Sequence, residues 1–266
     1  MLDRIIIGRY VPGNSIIYRL DARAKIAFVF AFVFLVFLAN NTPTYIFLLV
    51  LSLAIVKMTA ISFSYIRQGL QPLIWIMLFT FILHIFFTKQ GTLIFDFWFL
   101  KIYSGGLIQG IYICIRFFVL LLITTLLTLT TTPIEITDGL ESLLAPLKKL
   151  KFPVHELALM ISIALRFIPT LLQETSKIMK AQSARGAKFS LGSMKERIQA
   201  IVALLVPLFI NAFKRAEDLA VAMEARGYRG GVGRTKIREY HWKLNDTLTI
   251  VSIFVIIIVL VVLRKG

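Results

Sequence analysis

The sequence predicts an all-α integral membrane protein with about five transmembrane helices plus a cytoplasmic domain of long coupling helices. Hydrophobic residues make up 58% of the 266 residues, whereas soluble domains typically contain about 45–50%. The chain carries 30 Lys and Arg against 14 Asp and Glu. Residues 133–246 hold 18 of the basic and 11 of the acidic side chains, and the long apolar runs lie almost entirely outside this block. One part of the chain therefore belongs in a membrane, and another part meets water or partner proteins.

Five apolar runs are candidate membrane spans, at residues 26–39, 45–56, 70–87, 107–131 and 248–263. Crossing the ~30 Å hydrocarbon core takes about 20 helical residues, which the third and fourth runs provide. The first two runs are short and are separated by Asn-Asn-Thr-Pro, so we expect a tight antiparallel pair, with a re-entrant hairpin as the alternative. The predicted domains are an N-terminal membrane domain (1–132), a cytoplasmic domain (133–246) and a C-terminal transmembrane helix (247–266).

The basic residues predict the orientation of the spans. Five of them precede the first run, two follow the second run, and the block 133–246 holds most of the remainder. This distribution predicts a cytoplasmic N-terminus, four crossings and a cytoplasmic block. A fifth crossing then places Arg264 and Lys265 outside, against the rule. The first run begins only at Ile26 and has no small-residue cleavage site after it, so we expect no removed signal peptide.

The block 133–246 has the pattern of helices. A short segment at 134–150 begins with acidic residues, ends with lysines and contains Pro146, which predicts a break into two pieces. A second helix is predicted from Val154 to Arg185, with a single polar stripe at steps of three and four residues. A third is predicted from Met194 to Arg226, with an apolar first half and an amphipathic second half. Because both exceed the length that a small soluble core covers, we expect each to lie partly in or along the membrane.

The two long helices end in the same tripeptide, Ala184-Arg185-Gly186 and Ala225-Arg226-Gly227, 41 residues apart. Glycine closes many helices and an arginine in the last turn complements the helix dipole, so one such tripeptide needs no function. Its repetition predicts that the chain presents two arginines to two equivalent sites. The rigid guanidinium fork suits carboxylates and helix C-termini on a partner protein.

Three further segments carry a family resemblance, at residues 8–15 (GRYVPGNS), 20–25 (LDARAK) and 164–169 (ALRFIP). With the two tripeptides, they resemble the transmembrane T component of energy-coupling factor transporters, the vitamin and metal-ion uptake branch of the ABC transporters. The resemblance covers nearly the whole chain, and its N-terminal part is more similar to the shared, vitamin-type components than to the dedicated metal-ion ones. It implies a non-catalytic coupling subunit in the plasma membrane of a prokaryote.

The resemblance also implies partners and site residues. Two cytoplasmic ABC ATPases would receive the arginine tips in surface grooves; these tips consist of Ala184, Arg185, Gly186, Ala225, Arg226 and Gly227. A separate membrane-embedded S component would capture the vitamin or micronutrient and pack against apolar residues of the scaffold. The candidates for that contact surface are Leu165, Ile201, Leu205 and Leu208. Because another subunit binds the substrate, this sequence does not name it.

Two other features have a structural interpretation. Ala212, Ala216 and Ala220 recur every four residues, a row of small side chains that permits the close crossing of another helix, although alanine is also simply the best helix former. Arg116 lies within the fourth apolar run, where an ionised group costs at least about 2.5–3.5 kcal/mol. We therefore expect Arg116 to be hydrogen-bonded inside the protein.

The sequence predicts no catalytic, metal or cofactor site. Its three histidines, His84, His155 and His241, lack ligand spacing, and without a Gly-Lys dipeptide there is no P-loop. The basic patches lack interleaved aromatics, so the charge indicates a cytoplasmic face and anionic membrane lipids rather than nucleic acid. Two alternatives remain. One is a membrane-embedded lipid-modifying enzyme with Arg116 and the acids Glu135, Asp138 and Glu141, and the other is a stand-alone channel or carrier.

Overall fold

The computed structural model describes residues 10–97, 100–189, 192–230 and 242–265. Its helices are α1 (Ala22–Leu38), α2 (Thr42–Thr59), α3 (Phe63–Phe87), α4 (Ser104–Thr130), α5 (Pro133–Leu143), α6 (Val154–Ala184), α7 (Met194–Ala225) and α8 (Leu244–Lys265). A short 3-10 helix, Ala145–Leu150, follows α5, so the predicted break near Pro146 is confirmed. The strands β1 (Leu93–Phe97) and β2 (Leu100–Tyr103) pair antiparallel between α3 and α4. This hairpin is the one departure from the all-α prediction in the described residues.

Five helices are long and apolar enough to cross a membrane, namely α2, α4, α6, α7 and α8. Helix α3 adds a sixth candidate if its two parts, which meet at a bend of 57°, form one span. The residue at the bend is a proline, whose missing N–H interrupts the helical hydrogen bonds. The all-α membrane class is confirmed, but the candidate spans differ from the five predicted runs. The first run lies in α1, whose 17 residues rise only about 25 Å, so α1 is not a candidate span. Helices α6 and α7, which were not among the predicted runs, are candidate spans.

The chain divides into two compact units. We name the larger one the six-helix unit; it contains α1 to α5, the β hairpin and α8, within residues 8–142 and 240–266. The smaller one, the two-helix unit, contains α6 and α7 within residues 143–239. Helix α5 belongs to the six-helix unit, where Gly139 lies against Ala22 and Ile26 of α1. The chain therefore changes unit ten residues after the start of its charged block.

The core of the six-helix unit lies between α1, α2, α4 and α8. The second half of α1, the first half of α2 and the later halves of α4 and α8 supply it. Its largest fully buried side chains are Phe32, Leu48, Leu122 and Leu260. In a bilayer such side chains hold helices together by van der Waals packing, because lipid tails are as apolar as the side chains themselves.

Buried charges join the start of α1 to the start of α8 and to the end of α4. Asp21 caps α1 by accepting a hydrogen bond from the Arg23 backbone N–H at 2.8 Å, and the Arg23 guanidinium pairs with its carboxylate at 2.7 Å. Burial raises the pKa of Asp21, but these hydrogen bonds outweigh it, so the pKa lies below its ordinary value of 3.8. The Asp246 carboxylate accepts hydrogen bonds from the backbone N–H groups of Asp21 and Lys243, both at 2.8 Å. Asp246 thereby joins the start of α8 to the start of α1.

Lys25 closes the C-terminus of α4 in the same region. Its ammonium donates to the Thr130 carbonyl at 3.1 Å, the Tyr18 carbonyl at 3.3 Å and the Thr131 hydroxyl at 3.4 Å. A cation among the last carbonyls of a helix also complements the helix dipole. The N-terminus of α1, the N-terminus of α8 and the C-terminus of α4 thus meet. The side chains that join them, Asp21, Lys25 and Asp246, are almost entirely buried.

Arg116 is hydrogen-bonded inside the six-helix unit, as its position in an apolar run predicts. Its guanidinium donates to the Tyr45 hydroxyl at 2.5 Å and to the Ala39 carbonyl at 3.4 Å, just beyond the end of α1. It also lies over the rings of Phe37 and Tyr45, at 5.3 and 5.7 Å from their centroids. Cation–π contacts and these acceptors replace part of the water that the charge loses on burial, while the Arg116 Nε is buried without an acceptor among the described residues.

Candidate functional site at two arginine-tipped helices

The starts of α6 and α7 are fixed by local sequence signals. Ser193 caps α7 by accepting from the Glu196 N–H at 3.4 Å, while the Glu196 carboxylate accepts from the Ser193 N–H at 2.9 Å. This reciprocal capping box satisfies two N–H groups that the helix itself leaves unpaired. Helix α6 begins directly after Pro153. The predicted helix bounds agree with the observed ones to within one residue.

The two helices end in the same backbone structure. Gly186 adopts φ +92° and Gly227 φ +73°, the left-handed region in which a Cβ is unfavourable. In α6 the N–H groups of Gly186 and Ala187 donate to the carbonyls of Ser183 and Gln182, at 3.0 and 2.9 Å. In α7 the residues 41 positions later make the same two bonds, at 2.8 and 3.0 Å. Both ends are Schellman motifs.

The arginine at each tip is the last residue before the left-handed glycine. Arg185 has φ −86° and ψ 6°, and Arg226 has φ −85° and ψ 6°. Both side chains are exposed, and neither makes a side-chain hydrogen bond or ion pair within the described residues. A Cβ added to Gly186 or Gly227 would meet no atom within 4 Å. The glycines are therefore required by backbone conformation alone, and the two tips present equivalent, exposed arginines.

Helices α6 and α7 run antiparallel and are joined by an ion pair. The Arg215 guanidinium donates to the Glu174 carboxylate. Their side chains are only partly exposed, at 33% for Arg215 and 19% for Glu174, so the pair is screened less than a fully exposed one. The second carboxylate oxygen of Glu174 is buried and has no hydrogen-bond donor in the described residues. The sequence analysis did not predict this pair.

A second link between the helices uses a carbonyl that a proline leaves unpaired. Pro207 lies inside α7, and because proline has no N–H it cannot bond to the carbonyl four residues earlier. That carbonyl belongs to Ala203, and it accepts a hydrogen bond from the Gln182 side chain of α6 at 3.4 Å. The Gln182 backbone carbonyl also closes the Schellman motif at Arg185. Gln182 therefore connects the first arginine tip to the proline break of the other helix.

The predicted alanine row faces α6. Ala212, Ala216 and Ala220 line an open groove of about 360 Å³ together with Ile163 and Phe167 of α6. The small side chains thus face a space between the two helices, and a close helix crossing at this row stays a prediction.

The residues predicted to contact an S component lie on different parts of the surface. Ile201 and Leu205 of α7 are 48% and 41% exposed, whereas Leu208 and Leu165 are half-buried. Sequence reasoning omitted several exposed members of the α7 face, although their spacing of three and four residues is the signal that finds them. These members are Ile198, Val202, Phe209 and Phe213.

The residues of the alternative enzymatic site do not converge. Helix α4 rises about 21 Å between Arg116 and Thr130, and the acids follow only after that end. Glu135 instead caps α5, where its carboxylate accepts from the Thr132 N–H at 2.9 Å. The part of the chain that the structure describes contains no group of three potential His, Cys, Asp or Glu metal ligands. His241, Gly8 and Arg9 lie outside the described residues.

Comparison with known proteins gives two consistent results. Residues 13–237 match the family model described as cobalt transport protein. The energy-coupling factor transporter transmembrane protein EcfT of Bacillus subtilis (strain 168) is 62% identical over 264 residues, which are 99% of this chain and all of that protein. EcfT of Lactococcus lactis subsp. cremoris is 47% identical over 99% of both chains. EcfT 1 of Listeria monocytogenes is 46% identical over the full length of both.

These matches and the membrane-length helices define the protein as a multi-pass membrane component of a bacterial transporter. The chain belongs to the EcfT family, the transmembrane T components of energy-coupling factor transporters. The family resemblance drawn from the tripeptides and the three segments is therefore confirmed. As a T component, the chain is one part of a multisubunit transporter.

Proposed function

We propose that the chain is the coupling scaffold of an energy-coupling factor importer. It transmits the ATP-driven motion of two cytoplasmic ABC ATPases to a membrane-embedded S component, which captures a vitamin or other micronutrient. The observation that carries this proposal is the equivalence of the two arginine tips. Arg185 and Arg226 share cap dihedrals and exposure, and neither side chain has a partner in the part of the chain that the structure describes. Two similar grooves require this arrangement.

Each tip offers an ATPase groove one guanidinium at the end of a rigid helix. The fork binds a carboxylate or the carbonyls at a helix C-terminus through parallel hydrogen bonds. Because the Schellman motif fixes the backbone on both sides of the arginine, docking orders only one side chain, and the entropic cost of binding is small. Flanking Ala184 and Ala225 are exposed, and their small side chains let the tip enter a narrow groove.

The links between α6 and α7 make them move as a pair. When the ATPases close on ATP, each displaces the tip that it holds. The Glu174–Arg215 pair and the Gln182–Ala203 bond resist separation of the two helices, so that displacement changes the angle of the pair rather than pulling it apart. The energy comes from the partner ATPases, and this chain acts as a non-catalytic subunit.

The apolar face of α7 is our proposed contact for the S component. Ile201 and Leu205 are exposed there, together with Ile198 and Phe209. This face lies on a helix that is apolar enough for the membrane, so contact with another membrane protein replaces lipid rather than water. Packing of this kind discriminates weakly between similar apolar partners, which would allow several S components to use one scaffold.

The antiparallel arrangement constrains how the pair lies in the membrane. If α6 and α7 both crossed the bilayer, their tips would emerge on opposite sides, and only one arginine would reach a cytoplasmic ATPase. Two cytoplasmic ATPases therefore require that the pair lies along the inner surface of the plasma membrane rather than across it. In this proposal the N-terminus and the coupling block around α6 and α7 are cytoplasmic, as the excess of basic residues predicts.

The test of the scaffold role is co-purification. The chain is expressed in full with the ABC ATPases and S components encoded by the same bacterium, and a tag on this chain is used to isolate what binds. Recovery of two ATPases and one S component is the expected result. Recovery of the chain alone from membranes that contain all partners would contradict the proposal.

A further inference from the structure

A groove of about 610 Å³ opens in the six-helix unit between α1, α2, α4 and α8. The sequence analysis did not predict it, and it plays no part in the proposed docking of the ATPases. It extends from Lys25 and Asn245 at one end toward the core, whose residues Ile123, Leu126 and Ile256 also line it. Its walls include Phe28, Leu51, Ile55, Leu127, Leu248 and Ser252.

The walls of the groove are apolar along nearly their whole length. The Ser252 hydroxyl donates to the Thr249 carbonyl at 2.7 Å, and the Thr249 hydroxyl to the Asn245 carbonyl at 2.9 Å, so these side chains offer no free donor. An empty groove would forfeit the van der Waals contacts of its lining, and water is a poor occupant because apolar cavities stay dry. Hydrocarbon is the occupant that fits these walls.

The length of the groove matches a lipid chain. Along α8 its lining extends from Asn245 to Val259, which corresponds to a rise of about 21 Å. One leaflet of the bilayer contributes about 15 Å of hydrocarbon, half of the ~30 Å core. An acyl chain laid along α8 therefore has room for its full extension.

The polar groups of the groove lie at one end, as a headgroup requires. Lys25, Thr130 and Asn245 line that end. The Lys25 ammonium is already bonded to two carbonyls and a hydroxyl. Three exposed cations lie near groove residues in the chain without lining the groove themselves: Arg19 next to Leu20, Lys57 next to Met58, and Lys243 two residues before Asn245. Of these, Arg19 and Lys243 are the ones that adjoin the start of α1 and the start of α8. The nearby carboxylates of Asp21 and Asp246 are taken up by Arg23 and backbone N–H groups.

We propose that this groove binds one anionic phospholipid of the surrounding bilayer. One acyl chain lies along α8 between α1, α2 and α4, and the phosphate lies at the end marked by Arg19 and Lys243. The charge of the headgroup complements these two cations, and the apolar walls accept the chain without any rearrangement of hydrogen bonds. The bound lipid completes the packing of the bundle where the protein's own side chains leave it open.

The test compares a variant that fills the groove with a matched one that does not. Ser252→Phe places a ring in the groove, whereas Val251→Phe places the same ring on the neighbouring residue, which is 49% exposed and outside the lining. The full transporter is reconstituted in phosphatidylglycerol or phosphatidylcholine vesicles, re-extracted in detergent, and weighed by native mass spectrometry. The native protein and the Val251→Phe variant should each retain one phosphatidylglycerol molecule. The ratio of lipid-bound to lipid-free protein should be at least tenfold lower for the Ser252→Phe variant. Equal retention by both variants would overturn the proposal.

Two further measurements test the headgroup and the identity of the occupant. Arg19→Gln with Lys243→Gln should abolish the preference for phosphatidylglycerol over phosphatidylcholine; a native protein that retains both lipids equally would refute the anionic site. A photo-crosslinking amino acid at position 252 should give an adduct of phospholipid mass in vesicles. Crosslinking to another subunit or to a second copy of this chain would contradict the lipid assignment. Because every readout is bound lipid, a failure here leaves the arginine docking untouched.

Discussion

The Glu174 carboxylate accepts a hydrogen bond from the Arg215 guanidinium, and each of these residues lies eleven positions before the arginine that ends its own helix. At 1.5 Å per residue, both arms measure about 16 Å. Since the helices are antiparallel, the arms extend in opposite directions from the ion pair. The pair therefore lies midway between the two arginine tips, where a change in the angle between the helices moves both tips equally.

Substitutions at Glu174 and Arg215 test whether this ion pair holds α6 and α7 together. Arg215→Met should destabilise the detergent-solubilised protein by about 2–4 kcal/mol, because it leaves the partly buried Glu174 carboxylate without its donor. Glu174→Gln should cost less, since an amide oxygen still accepts the hydrogen bond. Thermal unfolding of the two single variants and the double variant gives the coupling energy. A coupling energy near zero would show that the pair does not hold the helices together.

Loss of the tip arginines should weaken ATPase binding in a specific pattern. Truncating one partner of a buried charged contact costs about 2–5 kcal/mol, while the second contact keeps the other ATPase close. Arg185→Ala and Arg226→Ala should therefore each reduce uptake and ATPase recovery, and the double variant should lose both. Arg229→Ala is the matched control, because this exposed arginine lies three residues beyond the second tip. Normal ATPase recovery with the double variant would refute the docking role.

The apolar face of α7 should bind the S component independently of the tips. Leu205→Glu places a charge on that face, where burial without a partner is costly, so the S component should dissociate while both ATPases stay bound. Lys214→Glu is the comparison, because it changes the charge of an exposed residue in the amphipathic half of α7. Co-purification of the three partners reports the result. If Leu205→Glu releases the ATPases and spares the S component, the assignment of the face is wrong.

Both ends of the α6–α7 pair should be on the cytoplasmic side. Single cysteines at Lys188 and Arg229, each an exposed residue beyond one tip, are introduced after Cys114→Ala removes the only native thiol. Neither should react with a membrane-impermeant maleimide in intact cells, and both should react after lysis. Labelling of just one of them from outside would mean that the helices cross the membrane, which is incompatible with two cytoplasmic docking sites.

The stability of the six-helix unit should depend on the charge of Asp21 at acid pH. The pKa of this carboxyl is lowered in the folded state by its bonds to Arg23, so ionised Asp21 stabilises the fold above its ordinary value of 3.8. That contribution is lost as the pH falls through the lower folded-state pKa. Asp21→Asn should therefore be less stable than the native protein at pH 7, and the difference should shrink below about pH 4. A difference independent of pH would point to packing instead of charge.

The sequence predicts local structure far better than the pairing of helices. The bounds of α6 and α7 follow from Ser193, Gly186 and Gly227, because caps depend on residues within one turn. The Gln182–Ala203 bond follows from no local pattern: Pro207 reveals which carbonyl is unpaired, but its donor comes from another helix. No local pattern predicts the Glu174–Arg215 ion pair either, because its partners lie 41 residues apart in the sequence.

The membrane spans show a second limit of sequence reasoning. Hydropathy locates the apolar runs, but α1 begins four residues before the first run, at the Asp21 cap, and its 17 residues still fall short of a full membrane crossing. The β hairpin falls between two predicted spans, in a segment too short to judge by periodicity. The repeated tripeptide predicts the two arginine tips from sequence, whereas the absence of a side-chain partner for either arginine among the described residues is visible only in three dimensions.

The junction of Asp21, Lys25 and Asp246 has a consequence for how the protein is made. A ribosome releases α1 to α4 into the membrane well before α8 exists, and until then the Asp21 backbone N–H lacks its carboxylate acceptor. The core likewise lacks Ile256 and Leu260. We therefore expect the bundle to close only when the last helix arrives, and a chain truncated before α8 to be less stable in the membrane than the full-length protein.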